Sequence, residues 1–203
     1  MKKFDKLFHI ISLSICSVLF IGVLIYVCIN RNNPIDNYFF NLIFKMRSPV
    51  LTNIMKGLTI IGSVYFLTAV VILLVCIQLD RKDKIRLLLF YSIVLVLSVF
   101  LKFFIKRIRP EGMLIIEHGY SFPSAHALLI CFVFSFLIYL LNKHCNKIIN
   151  AICVPLCVLT IIIVGFSRLY LGVHYFLDVV AGMLLGVIVL NLSILLVSHK
   201  YNN

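Results

Sequence analysis

Long apolar runs separated by short charged gaps limit what this chain can fold into. A helix needs about 20 mainly apolar residues to cross a bilayer. Six runs approach that length, at residues 7–29, 58–79, 85–105, 124–141, 148–166 and 175–197. The whole chain is 63% hydrophobic and 13% charged, with a mean hydropathy of +1.12, against roughly 25% charged residues in an ordinary soluble domain. The expectation is an all-α, polytopic membrane protein, with six transmembrane helices in a single domain spanning 1–203. The first run is too long for the apolar part of a signal peptide and no small-residue cleavage pattern follows it, so it is read as a retained helix.

The net charge of +12 raises the question of nucleic acid. The basic residues form no stripe and no recognition module. They fall in the gaps between runs, where lysine and arginine meet water or lipid headgroups, so nucleic acid is not expected as a partner. Seven cysteines are present, an odd number without a CxxC pair, and all but Cys145 lie in apolar runs. They read as small buried hydrophobes.

Within the third run the charge-free part, 87–101, is 15 residues long. At about 1.5 Å per residue it covers roughly 22 Å, short of a hydrocarbon core of about 30 Å. Either the helix ends early or Lys102 sits on its last turns at the membrane edge. Pro155 is expected to kink the fifth run. The segment 30–57 reads either as a loop or, through Phe39, Phe40 and Phe44, as an interfacial helix.

Orientation follows from lysine and arginine. Ten lie on one side: Lys2, Lys3, Lys6, Arg81, Lys82, Lys84, Arg86, Lys143, Lys147 and Lys200. The other side carries nine, of which Lys102, Arg109 and Arg168 are set aside as chemical. The remaining bias places both termini in the cytoplasm. Residues 102–122 and 165–178 then meet on the outer face.

Three polar patterns converge there. In KFFIKRIRP (102–110), Lys102 and Arg109 are seven apart, two helical turns if the helix continues, although Pro110 stops it by Ile108. Lys106 and Arg107 read as headgroup contacts. In FPSAH (122–126), Pro123 and Ser124 mark a helix start whose free NH groups favour an anion, with His126 in the first turn. In SRLYLGVHYFLD (167–178), His174 and Asp178 are four apart, so on a helix the carboxylate accepts from one imidazole nitrogen and leaves the other free as nucleophile or base. His9, His118, His144 and His199 lack such surroundings. Asp36, Glu111 and Glu117 read as solvated or partnered loop acids.

Three fixed cations, two histidines, a carboxylate and a helix N-terminus suit a phosphoryl group. One histidine can attack phosphorus and the other can protonate the departing oxygen. No carboxylate cluster is arranged for Mg²⁺, so neither metal nor cofactor is expected.

At these residues the chain resembles the type 2 phosphatidic acid phosphatase superfamily, whose motifs are K-x6-RP, PSGH and SR-x5-H-x3-D. Lys102 to Pro110 match the first and Ser167 to Asp178 the third. The second reads Pro123, Ser124, Ala125, His126, with alanine in place of glycine. The resemblance implies a helical membrane core of that family. It implies that His174 forms a phosphohistidine, that Asp178 orients it, and that His126 is general acid and then base. Lys102, Arg109 and Arg168 would clamp phosphate, joined by Ser124 and the backbone NH near Ala125. Alanine at 125 costs nothing where the backbone is helical. The implied activity is hydrolysis of a membrane-held lipid phosphate in a bacterial plasma membrane: undecaprenyl diphosphate or phosphatidylglycerol phosphate, or phosphatidate. A phosphotransferase with the same intermediate and a non-catalytic phospholipid-binding protein remain alternatives. No signal for oligomeric state is present.

Overall fold

The structure, a computed structural model, describes residues 3–30, 33–77 and 79–199. Among them are eight α-helices and no strand. In chain order they are α1 (Lys3–Ile29), α2 (Pro34–Phe44), α3 (Pro49–Ile60), α4 (Val64–Cys76), α5 (Arg81–Ile105), α6 (Ala125–His144), α7 (Lys147–Tyr170) and α8 (Phe176–His199).

Local chemistry sets the helix starts. Asn33, Ser48, Ser63, Ser124 and Asn146 each turn a side-chain oxygen onto a backbone NH of the helix they precede. Pro34 and Pro49 fill first-turn positions, where no donor is lost.

Five helices, α1, α5, α6, α7 and α8, are long and apolar enough to span a membrane. The expected second span is not one helix. It is assembled from α3 and α4, bent by 41° at the break between them, and the count reaches six when that pair is one span. Ser63 caps a new helix there, and Gly62 lets the chain close on its neighbours. A Cβ at Gly62 would stand 2.5 Å from Val164 Cγ1 and 3.2 Å from His126 Cδ2. The segment 30–57 contains two helices, α2 and most of α3. Pro155 lies inside α7, which runs through it as one helix.

The third span resolves its short apolar stretch by running into charged sequence at both ends. α5 has 25 residues and carries Lys102 in its last turn. At its start, buried Asp83 and Arg86 pair with each other. Arg86 Nε also donates to the Ser193 carbonyl (3.1 Å) and Nη1 to the Tyr139 hydroxyl (2.9 Å). Of the ten basic residues on the first side, Lys2 and Lys200 lie outside the described residues, as does Arg31, one of the nine on the other side.

α6 and α8 form the centre, and half or more of each apolar span is buried. α1 packs on α8, and α5 and α7 flank α6. The outer helices keep large side chains such as Val18, Val96 and Ile162 exposed, as a lipid-facing surface requires. Gly182 and Gly186 make the central contact possible. A Cβ at Gly182 would lie 2.6 Å from the Ser124 carbonyl oxygen, and one at Gly186 2.9 Å from Cys131 Cβ. Small residues at such a crossing let helix backbones approach closely. The Ser124 NH donates to the Asp178 carbonyl (3.0 Å), which fastens the start of α6 to the first turn of α8.

Candidate active site

The end of the bundle where α5 and α7 finish and α6 and α8 begin collects the polar side chains. Lys102 comes from the last turn of α5 and Arg168 from the last turn of α7. His126 and Asp178 stand in the first turns of α6 and α8. Arg109 and His174 are on connecting loops.

α5 stops at Ile105, where Lys106 takes a left-handed conformation (φ 51°) and its NH caps the Lys102 carbonyl (2.9 Å). Arg109 therefore reaches the site from a loop and not from a shared helix face. Three backbone carbonyls fix its guanidinium: Gly119 (3.1 Å), His118 (3.1 Å) and Val173 (2.7 Å). Its Nη1 lies 3.4 Å from His174 Nε2.

His174 is buried on the turn before α8. Its Nδ1 is 3.7 Å from Asp178 Oδ2. That is within ion-pair reach but too long for a hydrogen bond, and Nδ1 has no hydrogen-bond partner. Catalytic hydrogen bonds are often long before substrate binds. Burial lowers the His174 pKa to about 4, against the pull of Asp178 and in the same direction as the charges of Arg168 and Arg109. At neutral pH the ring is uncharged, the state a nucleophile requires.

Arg168 is 1% exposed. It donates to Thr59 Oγ1 (2.7 Å) on α3 and to Glu117 Oε1 (2.5 Å) on the loop after α5. The other Glu117 oxygen lies 3.6 Å from Arg109 Nη2. A carboxylate thus bridges two of the cations singled out for phosphate. Burial alone would raise the Glu117 pKa, but the Arg168 hydrogen bond and the charges of Arg168 and Arg109 outweigh it and hold the group below the usual carboxylate range. Lys102 lies in the same electrostatic neighbourhood as Arg109, Glu117 and Arg168, and His126 in that of Arg168 and His174. Ser124 is fully buried and its hydroxyl oxygen accepts from the Ala127 NH at 3.5 Å. Ala125 is the first residue of α6, so its backbone is helical.

Arg107 departs from expectation. It is no headgroup contact, because it is 4% exposed and joins two buried carboxylates. Nη1 donates to Asp178 Oδ1 (2.6 Å) and Nη2 to Asp36 Oδ2 (2.5 Å). Its guanidinium carbon sits 4.2 Å from the centre of the Tyr175 ring. The α5 end explains the difference: a left-handed residue at 106 turns the next side chain inward. Of the two alternatives left open for Asp36 and Glu117, solvated or partnered, the structure shows the partnered one: Asp36 is buried and Glu117 half-buried, each against an arginine. The pattern Asn33-Pro34-Ile35-Asp36 signals a helix start with an acid in its first turn, but no local rule names its distant partner.

Comparison with known proteins adds to this geometry. A family model described as the PAP2 superfamily matches residues 83–201. Phosphatidylglycerophosphatase B of Bacillus subtilis (strain 168) is 33% identical over 153 residues, covering 70% of this chain and 73% of that protein. The undecaprenyl-diphosphatase of Sulfolobus acidocaldarius is 28% identical over 179 residues, 83% of each. The crystal structure of a transmembrane PAP2 type phosphatidylglycerolphosphate phosphatase from Bacillus subtilis superposes with a TM-score of 0.81 at 27% identity, covering 93% of this chain and 98% of that one.

Proposed function

We propose, from the premise that this chain belongs to the PAP2 superfamily, that it is a membrane phosphatase which cleaves a lipid phosphate or diphosphate through a phosphohistidine on His174. Its relatives named for phosphatidylglycerophosphate and undecaprenyl diphosphate make those two lipids the first candidates, with phosphatidate as a third. The observation that carries the reading is the convergence on His174. Asp178 stands at one ring nitrogen and Arg109 at the other, and Arg168 is buried nearby.

These positions support the following chemistry. His174 Nε2 bonds to phosphorus as the bond to the lipid oxygen breaks, and His126 gives that oxygen its proton. His126 then takes a proton from water. The water oxygen bonds to phosphorus, the nitrogen–phosphorus bond breaks, and inorganic phosphate leaves. Arg109, Arg168 and Lys102 hold the non-bridging oxygens, with the Ala125 NH at the start of α6 as a further donor. Ser124 shapes that start. Asp178 steadies the positive ring when His174 carries phosphorus. Glu117 holds the arginines until a phosphoryl group takes over its hydrogen bonds.

Phosphate release by purified protein in detergent with EDTA tests this, on undecaprenyl diphosphate, phosphatidylglycerol phosphate and phosphatidate. Release that survives EDTA and falls by at least about 10³-fold in H174A is expected, since loss of a nucleophile costs orders of magnitude. Absence of release from all three lipids by folded protein would overturn the reading. Transfer of phosphoryl to another lipid, with no inorganic phosphate, would indicate a phosphotransferase.

A further inference from the structure

Asp178 has two oxygens and two tasks. Oδ2 accepts from the Tyr175 NH (2.9 Å) and faces His174. Oδ1 is held by Arg107, itself held by Asp36 from the first turn of α2. Asp36 is fixed in turn. Asn33 Nδ2 donates to it (2.6 Å), and its Oδ1 accepts from the Leu177 NH (2.9 Å), a free donor at the start of α8. Asp36, His174 and Tyr175 line one small cavity. All three charged members are nearly or fully buried, where an unpaired charge is costly.

We infer that Arg107 and Asp36 are positioning residues for the reaction: Arg107 fixes the rotation of the Asp178 carboxylate toward His174, and Asp36 offsets the Arg107 charge so that Asp178 keeps its own effect on the ring. The inference rests on the phosphohistidine reading. One positive and two negative charges leave the set negative by one, facing an imidazole that turns positive on binding phosphorus. Without Asp36 the set is neutral. The other groups whose charge acts on or with His174 are Arg109 from the loop, 3.4 Å from its Nε2, Arg168 from α7, His126 from α6 and Glu117, and the charge of Lys102 on α5 is coupled to Asp178. Those with fixed charge are mostly cationic, so one negative charge more or less weighs heavily on the ring.

The test compares D36N, R107K, the double variant D36N/R107Q, D83N and H174A in pH profiles of phosphate release. Substrate ionisation is common to all, so differences report the enzyme. D36N is expected to lower kcat about tenfold with KM changed by less than about twofold, the size typical of lost supporting contacts. Its acid limb moves to lower pH, because removing a negative charge disfavours the protonated ring. The double variant loses one charge of each sign and returns the limb toward wild type while kcat stays low. R107K keeps the limb in place. D83N breaks an equally buried pair at the opposite end of α5, about 33 Å along the helix from Ile105, and lowers thermal stability without moving the limb. A folded D36N with wild-type kcat and profile overturns the inference, as does a D36N whose only defect is the stability loss of D83N. If D36N does not fold, D36E carries the test. Lowered kcat with an unmoved limb supports the brace, and wild-type kcat overturns it. Activity in H174A overturns both this inference and the reading beneath it.

Discussion

His174 combines burial with a neutral ring, and this has a consequence for stability. Its pKa is about 4 in the folded protein, against roughly 6.5 in an unfolded chain. Between those values the unfolded state binds more protons, so stability is fully present above about pH 6.5 and is lost as pH falls toward 4. The loss from this residue is on the order of 3 kcal/mol. Thermal unfolding in detergent should show a Tm that declines through this window, and a flatter decline in H174A. An equal decline in both would sink the assignment. The same burial explains how Arg107 and Arg168 are used. The terminal nitrogens of each donate to specific acceptors, those of Arg107 to two carboxylates and those of Arg168 to Thr59 and Glu117, while both Nε atoms are buried without a hydrogen-bond partner.

Among the elements, the α6–α8 crossing sets the distance between the second and third motifs. Gly182 faces the Ser124 carbonyl, and Ser124 in turn donates to Asp178. Gly182→Ala pushes a methyl into backbone that has no room to move. It is expected to cost about 1–3 kcal/mol, as overpacked cores do, and to lower kcat by displacing His126 relative to His174. Thermal shift and steady-state kinetics check it. A wild-type Tm would mean that the crossing yields more easily than the geometry requires. α2 shows how an element can be legible while its task is not. Asn33-Pro34 announces a helix start, yet only the packed structure brings Asp36 onto Arg107 and the start of α8.

For the whole molecule, the sites at the C-terminal ends of α5 and α7 fall on one end of the bundle, with the Asp83–Arg86–Lys143 cluster on the other. The charge bias predicts the active end outside and both termini inside. A C-terminal green fluorescent protein should fluoresce, and alkaline phosphatase inserted after Gly112 should be active; the opposite pair of results reverses the orientation. The helical membrane class is legible in the residue order alone, because apolar length and charged gaps are one-dimensional facts that the bilayer reads directly. So are the three motifs, whose residue types and spacings are local. The separation of α3 from α4 emerges from packing, because the break lies where Gly62 closes on His126 and Val164. Packing alone decides that Arg107 faces inward to Asp36 and Asp178 while Glu117 bridges Arg168 and Arg109. Charged side chains in a buried cluster are assigned by which opposite charges the fold brings within reach, and that pairing spans 71 residues between Asp36 and Arg107, beyond any local rule.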